Sequence, residues 1–239
     1  MPQKIVLFIH GHMGSVRQFD TLVKAINCSE ADVRCLVLPG HECGVDDFVK
    51  SNHFEWQHSV DVALDELRPL YKEIYIIGHS MGGLLAILTA VHNPNGIFGI
   101  VALALPLRLK LTREGLRVRL GALRPPLESD DANITAARHL CGIHDVTARD
   151  TLRLIPNSIG LLHLMHGTER AMGRLSVPLV VINSSSDEIV SVRSSGIVTA
   201  RLPFSRLITL EKSTHFLYDE AEAAAVAATV NALLSDAVQ

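Results

Sequence analysis

Residues 73–83 read Glu-Ile-Tyr-Ile-Ile-Gly-His-Ser-Met-Gly-Gly, and this stretch constrains the fold more tightly than any other in the chain. Ile74, Tyr75, Ile76 and Ile77 are β-branched or aromatic, as a buried strand requires. Leu84-Leu85-Ala86-Ile87-Leu88-Thr89-Ala90 is a run that favours helix. Only Gly78-His79-Ser80-Met81-Gly82 separates the two, so the chain must turn sharply around Ser80. Glycine on either side removes the Cβ atoms that would collide in such a turn. The serine hydroxyl then projects beyond the strand end, above a helix N-terminus. Free N–H groups and a partial positive charge there suit a developing oxyanion. Strand, Gly-x-Ser-x-Gly and helix together make the setting of a nucleophilic serine.

A serine attacks only when a base takes its proton and a third group orients that base. On such a scaffold the partners follow in chain order, an acid and then a histidine. Pro178-Leu179-Val180-Val181-Ile182-Asn183 reads as a buried strand, and Ser184-Ser185-Ser186-Asp187-Glu188 follows it. Residues 206–211 read as the last strand, and Lys212-Ser213-Thr214-His215-Phe216 comes next. Asp187 and His215 thus lie just past the carboxyl ends of strands, as Ser80 does, on the edge where open α/β sheets carry their sites. Asp187 is preferred to Glu188 because it is the first carboxylate after the strand, and successive loop residues point apart. Among 12 histidines, His215 is chosen by position.

Lys4-Ile5-Val6-Leu7-Phe8-Ile9 is a continuous apolar run of the kind buried on both faces, and it ends in His10-Gly11-His12-Met13-Gly14. Two backbone N–H groups are expected to hold the oxyanion, that of Met81 after the nucleophile and that of His12 in this loop. Gly11 lets the backbone come close. His10 and His12 also offer two imidazoles, but two ligands at that spacing make half a metal site, and no further ligand follows in a usable pattern. Neither a metal nor a cofactor is expected.

The remaining pattern alternates strand and helix, which predicts a parallel sheet with helices on both faces. Strands are expected near 4–10, 33–38, 73–78, 97–105, 178–183 and 206–211, and helices near 16–27, 54–71, 80–92, 191–201 and 219–235. The last helix is Ala-rich, with Asp219 or a neighbour as its cap.

Residues 107–174 interrupt the alternation and are expected to fold as a cap over the site. The chain then divides into a core of 1–106 and 175–239 and a cap of 107–174. Arg108, Lys110, Arg113, Arg117, Arg119 and Arg124 crowd the first part of that insertion, with Glu114 as the lone acid among them. They read either as a solvated face whose stems cover apolar surface or as a site for an anionic substrate or lipid surface. Leu107-Arg-Leu-Lys-Leu alternates with period two, whereas Leu116, Leu120 and Leu123 suit a helix. A further helix is expected from Asn157 to about Met172, with Ile159, Leu162 and Leu164 as the wall of an acyl pocket.

His10-Gly11-His12, Leu38-Pro39-Gly40-His41, Gly78-His79-Ser80-Met81-Gly82-Gly83, Ser186-Asp187-Glu188 and Ser213-Thr214-His215 occur in an order and spacing that resemble the small α/β-hydrolases of the carboxylesterase and monoacylglycerol-lipase-like group. The resemblance runs from Ile5 to about Leu234 and is weakest between Leu107 and Arg174. It implies an α/β-hydrolase fold with a mostly parallel sheet of about six strands and an inserted cap. It also implies hydrolysis of carboxylic esters by Ser80, Asp187 and His215, on short or medium acyl esters or monoacylglycerols. Thioesterase, amidase and aminopeptidase chemistry use the same machinery, and a catalytically weak receptor could use the same pocket. Two positions depart from the usual pattern. His12 stands where a small or aromatic residue is common, and Glu42 stands where glycine usually follows Pro39-Gly40-His41; both are expected near the pocket.

Composition agrees. With 239 residues the chain fits one α/β domain, and a formal net charge of −3 gives no electrostatic case for nucleic acid. Cys28, Cys35, Cys43 and Cys141 show no metal spacing and read as free thiols in a reducing compartment. The N-terminus enters a strand at once with no leader pattern, and the longest apolar run is far short of a membrane span. The expectation is a cytoplasmic enzyme acting on a small ester, without stable membrane insertion.

Overall fold

Among the described residues six strands form: β1 (Lys4–Ile9), β2 (Asp32–Leu36), β3 (Glu73–His79), β4 (Ile97–Leu103), β5 (Leu179–Ser184) and β6 (Arg206–Leu210). All pair in parallel in the order β2-β1-β3-β4-β5-β6. The structure, a computed structural model, describes residues 3–26 and 31–235; Cys28 and the end of the helix expected at 16–27 lie outside them.

Both faces of the sheet centre are covered, which is why β1, β3, β4 and β5 are largely apolar, whereas the edge strands β2 and β6 alternate with polar residues. Ile5, Leu7 and Ile9 of β1, Ile74 and Ile76 of β3, and Ile100 and Ala102 of β4 share one core with helices α3 (His53–Leu67), α4 (Met81–His92) and α8 (Ile155–Ala171). The intervening Val6, Phe8, Tyr75, Ile77, Val101 and Leu103 form the opposite core with Phe19, Leu22, Val226, Val230 and Leu234. Leu22 lies on α1 (Asp20–Ala25), which follows a 3-10 turn at Val16–Phe19, and the last three lie on α10 (Glu220–Ser235).

Local signals set the helix ends. Asn52 accepts from the N–H groups of Phe54 and Glu55 while the Glu55 carboxylate returns to the Asn52 N–H, so α3 starts in a capping box. Asp219 Oδ1 accepts from Ala221 and Glu222 at the start of α10, as expected. α4 is buried from Met81 to Ala90, sandwiched between the sheet and α8.

Between β4 and β5 the chain forms α5 (Arg113–Leu123), α6 (Ala132–Leu140), α7 (Ala148–Arg153) and α8. The alternating run at 107–111 makes no strand, only a bridge from Leu109 to Val190, and Leu111 is 99% exposed. α6 and α7 were not anticipated. α5 and α6 pack through Val118, Ala122, Ile134 and Ala137 into a small separate cluster that includes Phe216. The bridge between Gly14 and Cys141 and the bond from Thr214 Oγ1 to Asn133 Oδ1 (2.8 Å) tie this layer to the loops at the carboxyl edge of the sheet. α8 differs in packing, because Leu161, Leu164, Met165 and Ala171 belong to the main core beside α4.

Candidate active site

The turn after β3 has the strain its sequence implies. Ser80 has φ 52° and ψ −117°, a conformation non-glycine residues rarely adopt. A Cβ on Gly82 would run into the Ile9 carbonyl, and one on Gly78 would strike the backbone of Gly82 and Gly83. These two contacts make glycine obligatory at both positions. The Ser80 N–H bonds the Leu103 carbonyl (2.8 Å), which fastens the turn to the neighbouring strand and leaves Ser80 at the N-cap of α4.

His215 and Asp187 meet although 28 residues separate them. His215 Nδ1 lies 2.8 Å from Asp187 Oδ2, with both side chains almost wholly buried. Asp187 Oδ1 accepts the N–H groups of Ile189 and Val190, each at 2.7 Å, so the carboxylate cannot swing away. Burial opposes ionisation of Asp187, yet the His215 charge, their hydrogen bond and these two N–H donors outweigh it and lower its pKa. For His215, burial acts against the imidazolium, but Asp187, the shared bond and Glu188 prevail and raise the pKa above the ordinary value.

Glu188 does not point away, as the sequence reading expected of it. Its Oε2 accepts the backbone N–H of His215 (3.0 Å), while Oε1 is buried without a partner among the described residues. One carboxylate therefore holds the ring of His215 and the next holds its backbone. From the other side, His79 Nε2–H donates to the His215 carbonyl (3.2 Å), and burial pushes the His79 pKa down to about 3, keeping that ring neutral. Glu188 and His79 act on backbone atoms, which leaves no signature of residue type in the sequence.

The loop after β1 is fixed by Gln18, whose Oε1 accepts the Gly11 N–H (2.9 Å), another contact the sequence did not reveal. Among the described residues, the N–H groups of His12 and Met81 have no hydrogen-bond acceptor. The Met81 side chain is wholly buried in the core, so only its backbone is available to chemistry. The His12 ring meets Phe48 (5.4 Å) and Trp56 (5.7 Å) edge-on, and His41 packs on the same two rings. Burial drives His12 to about 3, so this imidazole is neutral. His10 uses both nitrogens, with Nδ1–H donating to the Gly11 carbonyl (2.9 Å) and Nε2 accepting from Leu38 N–H (3.1 Å). No lone pair is left for a metal, and among the described residues no cluster of three or more His, Cys, Asp or Glu side chains gathers as a ligand set. Glu42 is not among the residues lining the cavity at Ser80; its carboxylate accepts the Val16 N–H (2.7 Å).

A cavity of about 340 Å³ brings Gly11, His12, Ser80 and His215 together beneath the inserted helices. Its far walls are aliphatic: Leu116, Leu120 and Leu123 of α5, then Leu154, Ile155 and Leu161. Ile159, Leu162 and Leu164, expected in that wall, are not among its lining residues. Ile159 and Leu162 are 47% and 43% exposed, and Leu164 is buried in the core. The physical reason is helical phase: α8 is apolar on several sides, and its packing on α4 turns the face of 155, 158 and 161 toward the cavity. A larger cavity of about 520 Å³ lies on the other side of His215, between α1, α6 and α10. It touches His79 and His215 but not Ser80 or the loop after β1, so the smaller cavity is the one suited to chemistry.

Residues 6–229 match the model of the Alpha/beta hydrolase family. A thermostable monoacylglycerol lipase from Bacillus sp. (strain H-257) is 24% identical over 193 residues, 81% of this chain and 74% of that one. A pimeloyl-[acyl-carrier protein] methyl ester esterase from Neisseria meningitidis is 26% identical over 229 residues, 89% of this chain and 86% of that one. A structure solved for LipS and LipT, two metagenome-derived lipolytic enzymes, shares the fold with a TM-score of 0.74 at 19% identity, covering 98% of this chain and 94% of that one. The chain belongs to the alpha/beta hydrolase family.

Proposed function

We propose that the protein hydrolyses carboxylic esters through an acyl-enzyme on Ser80. The observation that carries this is the His215–Asp187 pair opening onto the same cavity as a serine held in a strained turn. Ser80 Oγ attacks the ester carbonyl while His215 Nε2 takes its proton. Asp187 keeps the proton of Nδ1 in place and stabilises the imidazolium. The N–H groups of His12 and Met81 receive the oxyanion. His215 then protonates the departing alcohol, and water repeats the sequence to release the acid. Ser80 has no hydrogen bond to His215 among the described residues; contacts of this kind commonly close only when substrate is bound.

Residues 107–174 act in this reading as a cap over a core of 1–106 and 175–239, with the acyl chain under α5. The aliphatic walls favour short or medium acyl chains or monoacylglycerols. The test is turnover of p-nitrophenyl esters from acetyl to dodecanoyl, beside an acyl thioester and a peptide amide. Ester turnover well above the other two supports the reading, and preference for the thioester or amide contradicts it. Leu120→Trp and Ile155→Trp should shift the profile toward shorter acyl groups by raising KM for longer ones. The shift should be graded, since an apolar pocket discriminates by only ~1–3 kcal/mol per methylene. Ile159→Trp should leave the profile unchanged, which separates the wall proposed here from the one expected in sequence.

The pH profile follows from His215. The ring must be neutral to accept the Ser80 proton, so activity falls as pH drops through its pKa. Because that pKa is raised in the folded protein, the acid limb of kcat/KM should lie above the ~6.5 of an ordinary histidine. A limb at or below that value would contradict the electrostatics described for the Asp187–His215 pair. Turnover should survive EDTA.

A further inference from the structure

We propose that Arg119 is an anion-recognising subsite of the ester pocket, so that the preferred substrate carries a carboxylate or phosphate on an otherwise apolar body; this rests on the ester hydrolysis proposed above.

The six basic residues that open the insertion have different fates. Arg108 forms a forked pair with Glu169, and Lys110 bonds the Asp187 carbonyl (2.7 Å). Arg117 bridges Glu114 and Asp131, and Arg124 holds Asp130. Arg113 is exposed at the start of α5 and does not line the cavity. Arg119 does line it, and among the described residues it has neither an ion pair nor a hydrogen bond.

Its place on the helix is the second observation. Leu116, Arg119, Leu120 and Leu123 fall at i, i+3, i+4 and i+7, one stripe of α5, and all four line the cavity. An arginine kept only for solubility belongs on the opposite face. Its accessible surface is in part the surface of the cavity. The surrounding protein strips enough water from the guanidinium to lower its pKa, and its charge is felt at both His12 and His215. Among the described residues the lining holds no aspartate or glutamate to neutralise it. Arg119 is also reached by solvent, so an unpaired guanidinium at the aliphatic mouth of this pocket is open to an incoming anion and gains a partner when one binds. Its planar fork matches a carboxylate or a phosphate equally well.

Two substrate pairs locate the anion. The first compares the monomethyl esters of adipic, suberic and sebacic acids with their dimethyl esters, which places the charge on the acid side. The second compares a monoacylglycerol with the corresponding acylglycerol phosphate, which places it on the alcohol side. In at least one pair the anionic member should be favoured by about tenfold or more in kcat/KM, mainly through KM. Arg119→Met should bring that ratio to near one, Arg119→Lys should restore part of it, and Arg113→Met should leave it intact. Calorimetry on Ser80→Ala, with sebacate monomethyl ester against the dimethyl ester and the glycerol pair alongside, reads the subsite without turnover. Tighter binding of an anionic member, lost on adding Arg119→Met, supports the subsite even if no ester is hydrolysed, a result that would sink the ester reading instead. Neutral and anionic partners bound and hydrolysed equally, or a preference that persists in Arg119→Met, would overturn the proposal.

Discussion

Replacing Ser80 with alanine should abolish ester turnover while leaving the fold intact. The side chain is small, and the strain at Ser80 is held by Gly78, Gly82 and the bond to the Leu103 carbonyl, none of which the substitution touches. His215→Ala should be nearly as inactive, because a nucleophile without its base is as idle as a base without its nucleophile. Losses of this type reach about a millionfold in kcat and do not add, so the double variant should be no worse than either single one. Steady-state kinetics on the three variants, with circular dichroism to check folding, measures this. Additive losses would mean that the two residues do not act in one step.

Asp187→Asn should lower kcat by roughly ten-thousandfold, since an amide cannot keep the proton on Nδ1 and offers no charge to the imidazolium. Glu188→Gln should be far milder, about tenfold or less, because its carbonyl oxygen still accepts the His215 N–H. The pH profile adds a second readout. The Glu188 charge contributes to raising His215, so Glu188→Gln should move the acid limb downward as well as slow the reaction. A merely structural role for Glu188 would change kcat and leave the limb in place. If Glu188→Gln proved the more damaging of the two, the assignment of the orienting carboxylate would be reversed.

The strands were legible because a parallel sheet buried on both faces needs unbroken apolar runs, and Lys4–Ile9 and Leu179–Ser184 supply them. Ser80, Asp187 and His215 were legible as candidates because each follows a strand at its carboxyl end. What escaped the sequence depends on partners distant in the chain. Which face of α8 meets the cavity is set by its packing on α4, and Ile155, Ser158 and Leu161 line it rather than Ile159, Leu162 and Leu164. Gln18 and Glu188 bond backbone N–H groups, and such roles carry no pattern. α6 and α7 are short and weakly patterned, held by contacts such as Gly121 against Ile134 and the Thr147–Asp150 capping box. Arg119 did carry a signal, a charge set within the helical spacing of Leu116, Leu120 and Leu123, but only the cavity shows what that stripe faces.

Every step of the proposed hydrolysis starts from Ser80 as the nucleophile. The most direct test is to treat the protein with a fluorophosphonate and map the adduct by peptide mass spectrometry. Labelling should be stoichiometric at Ser80, in step with loss of ester turnover, and absent from Ser80→Ala and His215→Ala. Inactivation with the adduct on another residue, or an active esterase that leaves Ser80 unlabelled, would contradict it.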